Sequence, residues 1–191
     1  MNDLIYWDQE LFKIINLTWS HSFFDWFFPF LTDLHKSWPF QIIILGFCFG
    51  LPLYRFKRLG WYVSLAFVLS IAVSDWTGNN FFKKTINRER PFEVIAEAVK
   101  RSPAQPGRSF ISNHASNMSA VAAVSVVFFP SMKWLMIFFA FLSAYSRVYT
   151  GVHFPLDVLA GALWGGSIGW IIATVIKRKF LVFQNRSGIQ S

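Results

Sequence analysis

From Trp38 to Ile176 the chain is written as long apolar runs with charge gathered at their edges, and that pattern constrains the fold more than any single motif. One run covers 38–54 and ends at Arg55, Lys57 and Arg58; others cover 60–80, 115–129, 132–149 and 155–176. Pro130 stops the third of these, and Lys177, Arg178 and Lys179 close the last. A shorter run, 23–34, is interrupted by Asp25, Pro29 and Asp33. Only 15% of the residues are charged against 54% hydrophobic, where a water-soluble domain carries about a quarter charged. Lipid must therefore face part of the chain. In lipid every backbone polar group has to be satisfied internally, and runs of this length do so as helices. The expectation is an all-α, polytopic membrane protein with six transmembrane helices, the 23–34 run being the first. Residues 3–18 set Asp3, Asp8, Glu10 and Lys13 against Leu4, Ile5, Leu11, Phe12 and Ile15 at helical spacing, which predicts an N-terminal amphipathic helix in the interface.

The 191 residues suffice for a single domain. Trp19, Trp38, Trp61, Trp76 and Trp134 stand near run ends, where indole rings favour the headgroup level. The net charge of +8 lies at segment ends with no stacking platform beside it. Anionic lipid headgroups therefore fit it as partners and nucleic acid does not. Cys48, alone and inside an apolar run, rules out an internal disulfide and a cysteine metal site. No basic leader opens the sequence, so the first span is read as an uncleaved anchor, and residues 184–191 are read as a frayed tail. With six spans the clusters at 55–58 and 177–179 share a face with both termini. Lysine and arginine favour the cytoplasm, so both termini are expected there. Residues 81–112 form the one long polar stretch, an extramembrane loop of a length that is usually functional.

Three motifs border the runs: Lys83-x6-Arg90-Pro91, Ser112-Asn113-His114, and Ser146-Arg147-x5-His153-x3-Asp157. Under the six-span count all three fall on one face. Seven residues is about two helical turns, so Lys83 and Arg90 are expected on one helix face that Pro91 ends, gripping oxygens of a phosphate. Alone, such a pair reads as headgroup anchors. Ser112 and Asn113 suit a helix start, whose free N–H groups attract an anion. His114 then stands where it can protonate a departing oxygen; alone, this is a capped helix with an interfacial histidine. His153 and Asp157, at i and i+4 around Pro155, allow the carboxylate to accept from one ring nitrogen and leave the other as a nucleophile. Arg147 supplies a third cation. Charged groups crowded between two apolar runs are costly unless used. His21 and His35 lack such company and are read as interfacial. Asp25 and Asp75 are unassigned. No carboxylate cluster accompanies the motif histidines, so neither a metal nor another cofactor is expected.

At these residues the chain resembles the type 2 phosphatidic acid phosphatase superfamily, which also holds vanadium haloperoxidases and glucose-6-phosphatase. The first and third motifs match its pattern in full. In the second, Ile111 and Asn113 stand where the pattern has Pro and Gly, while Ser112 and His114 are kept. The resemblance implies a metal-independent phosphatase working through a phosphohistidine. His153 would be the nucleophile, Asp157 its orienting partner and His114 the general acid, while Lys83, Arg90, Ser112 and Arg147 hold the phosphate oxygens. Because Asp157 would raise the basicity of His153, activity is expected to fall toward acid.

The chain is thus expected to act as an integral membrane phosphatase on an anionic lipid phosphate of a bacterial inner membrane, with its site facing the periplasm and no obligatory protein partner. Lipid A 1-phosphate, undecaprenyl diphosphate and phosphatidylglycerol phosphate are the candidate substrates. The competing reading is a non-catalytic membrane carrier or assembly protein with a vestigial phosphate site. Vanadate-dependent oxidation is a third, which the apolar character of the chain disfavours.

Overall fold

The computed structural model describes residues 2–103 and 106–187, and every regular element in them is helical. Helix α1 (Asn2–Lys13) runs into a π turn (Ile14–Thr18), and α2 (Ser22–Asp33) follows. Helix α3 (Trp38–Leu45) continues through a π turn (Gly46–Gly50) into α4 (Leu51–Phe56). Helix α5 (Gly60–Thr77) continues through another (Gly78–Phe82) into the short α6 (Lys83–Thr85). Then come α7 (Pro91–Val94), α8 (Asn113–Phe128), α9 (Lys133–Tyr149) and α10 (Pro155–Ser187). The chain reverses at Lys57, whose φ of 53° turns α4 back onto α5. Two helical stretches, Trp38–Thr85 and Pro155–Val182, are long and apolar enough to cross a membrane by length and composition. Helix α10 continues through the first half of the expected tail, to Ser187, and residues 188–191 lie outside the described residues.

Helix α8 is central, packed on α5, α9 and α10. Its contact with α10 is close because α10 presents glycine there. A Cβ on Gly161 would meet the Ser112 carbonyl oxygen at 2.6 Å, and one on Gly165 would meet that of Ser116 at 1.8 Å. The stripe of small residues in the last apolar run thus brings two backbones together. At one end of the bundle Cys48, Phe67, Val124, Phe128, Ala173 and Phe180 form a core. At the other end Phe12, Ile15, Phe28, Tyr149 and Phe154 form a second.

The expected first span, α2, packs at the end of the bundle where α10 begins. Helix α2 meets α9 only near that helix's C-terminus: the His21 N–H donates to the Tyr149 hydroxyl at 3.1 Å, and the Thr32 hydroxyl bonds that of Ser146 at 3.0 Å. Phe28 meets Tyr145 between these two contacts, with ring centroids 5.3 Å apart. His21 and Ser37 flank α2, and the chain enters α3 from the same end. Helix α1 is at that end too, since Asp8 Oδ1 accepts from the Leu156 N–H at the start of α10 at 2.8 Å. The stretches α3–α4, α5–α6, α8, α9 and α10 run between the two ends of the bundle. The contacts of Asp8, Asn16, His21 and Thr32 all lie at the end of the bundle where α10 begins.

The amphipathic reading of 3–18 has a structural counterpart. Asp8, Phe12, Ile15 and Asn16 are buried on one side of α1 and its π turn, while Leu4, Ile5, Trp7 and Leu11 are exposed on the other. Asn16 fastens this segment to the rest: its amide donates to the carbonyls of Val99 at 3.0 Å and Tyr149 at 2.8 Å, and its Oδ1 accepts from the Val99 N–H.

Candidate active site

His153 follows α9 by four residues and is 3% exposed. Its backbone N–H donates to the Arg147 carbonyl, and Pro155 opens α10 directly after it. Asp157, fully buried, lies one turn into α10 with Oδ2 at 3.7 Å from His153 Nδ1. That is contact without a hydrogen bond, and Nδ1 has no other partner. The carboxylate is instead held by two donors: Oδ2 accepts from the Phe154 N–H at 2.8 Å, and Oδ1 from Arg88 Nη1 at 2.8 Å. Nε2 faces the other way, 3.4 Å from Arg90 Nη1. Burial pushes the His153 imidazole down to about 4, outweighing the Asp157 carboxylate that raises it; Arg147 and Arg90 add to the depression. Asp157 acts on His153 in the expected direction, and burial makes the net shift downward.

The cations converge on the same spot by a route the spacing did not foretell. Lys83 and Arg90 do not share a helix face: α6 stops at Thr85, residues 86–90 are non-helical, and Pro91 opens α7 instead of closing a helix. Arg108 Nη1 donates to the Lys83 carbonyl at 2.6 Å, satisfying an acceptor the ended helix leaves open. Arg90, extended as a residue before proline must be, turns its guanidinium onto the Val152 carbonyl at 2.8 Å. Burial holds its guanidinium below the usual arginine range. Arg147 is 6% exposed at the end of α9. Lys83, Arg90 and Arg147 are near enough to repel one another, yet among the described residues none forms an ion pair with a carboxylate. Buried Nε atoms of Arg90 and Arg147 have no hydrogen-bond partner. Three cations with no ion-pair partner, gathered near the two motif histidines, make an anion site.

Ser112 caps α8, its Oγ accepting from the Ala115 N–H at 3.5 Å while its own N–H donates to the Asp157 carbonyl at 3.0 Å. This ties the start of α8 to the start of α10. His114 sits in the first turn of α8, within reach of the charges of Arg147 and Lys83 and beside His153. Its ring meets that of His35 edge to face, with centroids 5.2 Å apart. His35, read from sequence as a bystander, thus stands against the acid candidate. Its Nδ1 lies 2.8 Å from the Thr32 carbonyl and must donate there, which leaves Nε2 as the other ring atom.

The PAP2 superfamily model matches residues 60–181 of this chain. The chain belongs to that superfamily. It is 32% identical over 162 residues to the lipid A 4'-phosphatase of Bacteroides thetaiotaomicron, covering 74% of this chain and 72% of that one. It is 30% identical over 166 residues to the undecaprenyl-diphosphatase of Sulfolobus acidocaldarius, covering 85% and 75%. The crystal structure of Aquifex aeolicus LpxE superposes with a TM-score of 0.67 at 30% identity, covering 86% of this chain and 93% of that one.

Where this PAP2 chain departs from the motif pattern, its structure supplies a reason. The Asn113 side chain turns away from His153 toward α5, where its amide donates to Asp75 Oδ1 at 3.0 Å and its Oδ1 fills the space a Cβ on Gly78 would need. Asn117 donates to the same carboxylate oxygen at 3.1 Å, and Asn79 to the other at 3.0 Å. Asn79 Oδ1 in turn accepts from Lys83 at 3.0 Å. Asp75 therefore anchors the start of α8 and, through Asn79, the Lys83 ammonium. Asp25 pairs with Arg101 at 2.6 Å and accepts from the Tyr149 hydroxyl at 2.6 Å, locking α2 and the loop to the end of α9. Arg88 is the residue sequence reasoning missed. It lies among several loop cations, and nothing in its own neighbourhood marks it; only the fold shows that it bridges Asp8 and Asp157 and lies 4.2 Å over the Phe154 ring.

Proposed function

We propose that this chain is an integral membrane phosphatase that removes phosphate from an anionic lipid through a phosphohistidine on His153. The observation that carries the reading is the set of cations with no ion-pair partner, Lys83, Arg90 and Arg147, near the two motif histidines, with Arg90 on the Nε2 side of a buried, neutral His153. A phosphoryl group held by those cations presents its phosphorus to Nε2. As the N–P bond forms, the P–O bond to the lipid breaks, and His114 gives its proton to the departing oxygen. The imidazole becomes positively charged, and its Nδ1–H closes on Asp157 Oδ2 from 3.7 Å. Water then cleaves the N–P bond, releasing phosphate and restoring both histidines. Negative charge on the bound phosphate favours the proton that the His114 ring must carry. Ser112 serves by presenting the N-terminus of α8 to the phosphate.

The substrate class follows from the relatives' names and the apolar bundle: lipid A phosphates and undecaprenyl diphosphate, with phosphatidylglycerol phosphate as a third candidate. The bundle crosses a bacterial inner membrane with the site end in the periplasm. Every one of the 10 acidic residues falls in 3–33, at Asp75, in 89–97 or at Asp157, all at the site end. The opposite end carries Arg55, Lys57, Arg58, Lys133, Lys177, Arg178 and Lys179 with no acid among them. Unbalanced cations next to helix ends favour the cytoplasm. Exposed Trp38 and Trp76 at one end, and Trp61 and Trp134 at the other, fit two interfacial belts.

Purified protein in detergent, with chelator present, is expected to release phosphate from at least one of the three lipids, and His153→Ala to release none. Acid-labile phosphate trapped in His114→Ala with a good leaving group should be on histidine. No release from any lipid would favour the carrier reading, and trapped phosphoserine would refute the mechanism.

A further inference from the structure

Asp8 belongs to α1, outside residues 60–181, and is 4% exposed. Its two carboxylate oxygens do different things. Oδ1 accepts from the Leu156 N–H in the first turn of α10, and Oδ2 pairs closely with Arg88 Nη2. The other terminal nitrogen of Arg88, Nη1, goes to Oδ1 of Asp157. One guanidinium is thereby shared between two buried carboxylates, with the Phe154 ring beneath it at 4.2 Å.

That sharing has a chemical consequence. A guanidinium facing a single carboxylate prefers to engage both oxygens at once, two parallel N–H···O bonds. On Asp157 this would occupy Oδ2, the oxygen that faces His153 Nδ1 at 3.7 Å. Asp8 holds Nη2 and so confines Arg88 to Oδ1. The Phe154 N–H fixes the plane of the carboxylate from the other side at 2.8 Å. A terminal carboxylate torsion is otherwise broad. We propose, on the footing of the phosphatase reading above, that Asp8 is a positioning residue for phosphoryl transfer: by holding Arg88 to one oxygen of Asp157, it keeps the other available to the imidazolium that forms on His153. The residue that does this comes from the interfacial helix, 148 positions before its contact in α10.

The test is Asp8→Asn in the full-length protein, assayed beside wild type, His153→Ala, Arg88→Gln and the Asp8→Asn/Arg88→Gln double variant on the lipid that wild type turns over. Asparagine keeps an oxygen acceptor for the Leu156 N–H and puts an NH2 donor where Oδ2 accepted from Arg88, so it removes the charge and the acceptor that hold Nη2. The expected result is a kcat reduced about 10- to 100-fold with KM within about threefold, because the interaction matters in the transition state and not in lipid binding. Losses in the double variant should be far from multiplicative, since both changes act on one oxygen of Asp157. A kcat within about twofold of wild type, or multiplicative losses, would overturn the proposal while leaving the phosphatase reading intact. Wild-type release that persists in His153→Ala would bring both down together. If Asp8→Asn fails to fold, Arg88→Lys replaces it: lysine keeps the charge and cannot bridge two carboxylates, so the same loss confined to kcat is expected, and an unchanged kcat overturns the proposal.

Discussion

Arg90 holds the Val152 carbonyl through Nη1 at 2.8 Å and with the same nitrogen stands 3.4 Å from Nε2 of His153. The guanidinium is thus anchored to the backbone of the very loop that carries the imidazole, and the two cannot drift apart. A phosphate oxygen held by Arg90 is held in register with the nucleophile. Lysine at this position keeps the charge but has no fork with which to hold carbonyl and phosphate together. Arg90→Lys is expected to lower kcat/KM by roughly 10²–10³-fold, the cost typical of losing one aligned donor to a developing charge. Steady-state kinetics on the preferred lipid would check this, and a loss under about threefold would show the fork to be unimportant.

His153 sets the acid side of the pH profile. With its imidazole pushed down to about 4 by burial, it is neutral and nucleophilic through most of the acidic range. The kcat/KM of the enzyme should therefore hold as pH falls to about 5 and drop only as pH approaches about 4. The same shift bears on stability. Between the ordinary histidine value near 6.5 and about 4, the unfolded chain binds a proton that the folded one does not. Stability from this group is complete above 6.5 and is lost as pH falls through that window. His153→Ala should flatten the slope of unfolding midpoint against pH there, and an unchanged slope would mean the imidazole is not buried as described.

Asn113 gives a prediction that separates architecture from chemistry. Its amide serves Asp75 on α5 and not the phosphate site. Asn113→Gly restores the residue type of the superfamily pattern yet removes a bond to a charged acceptor, worth about 1.5–3 kcal/mol. The variant should unfold at lower temperature or denaturant while keeping turnover within about threefold once folded, and the thermal midpoint in detergent beside a rate measurement would decide. A large loss of turnover at unchanged stability would place Asn113 in the site after all.

How far the sequence could be read depended on whether the information was local. Apolar period and edge charges are local, and they mark α8, α9 and the start of α10 to within two residues, while α10 runs on past its apolar stretch to Ser187. The motif residues that the fold gathers were legible as a set because Lys, Arg, His and Asp spaced between greasy runs have few other uses. The placement of α2 was not, since a short apolar run holding two aspartates looks the same whether a helix lies across a bundle or along it. Its placement is decided by Thr32 meeting Ser146, 114 positions away. The helical pairing of Lys83 with Arg90 failed for a similar reason: α6 ends where Arg108, 25 positions on, supplies a donor to the Lys83 carbonyl. Arg88 and Asp8 are each ordinary in their own segment, and only the fold makes them partners.

The seam between α8 and α10 offers the sharpest test of the packing, because it contains its own control. Ser112 and His114 open α8, and Asp157 lies in the first turn of α10, so the spacing of these two helices fixes how His114 stands to His153. Gly165 allows the Ser116 backbone to approach to where a Cβ would sit 1.8 Å from the carbonyl oxygen. Gly166, one position along, has nothing within 4 Å of the same point. Alanine favours a helix over glycine by roughly 1 kcal/mol, so Gly166→Ala should stabilise slightly and leave turnover unchanged. Gly165→Ala must push the two backbones apart, a strain of about 1–3 kcal/mol or more, since neither helix can yield as a side chain would. Its unfolding midpoint should fall, and its kcat should fall with it as the two histidines separate. Equal behaviour of the two variants would mean that the helices are not packed at this distance.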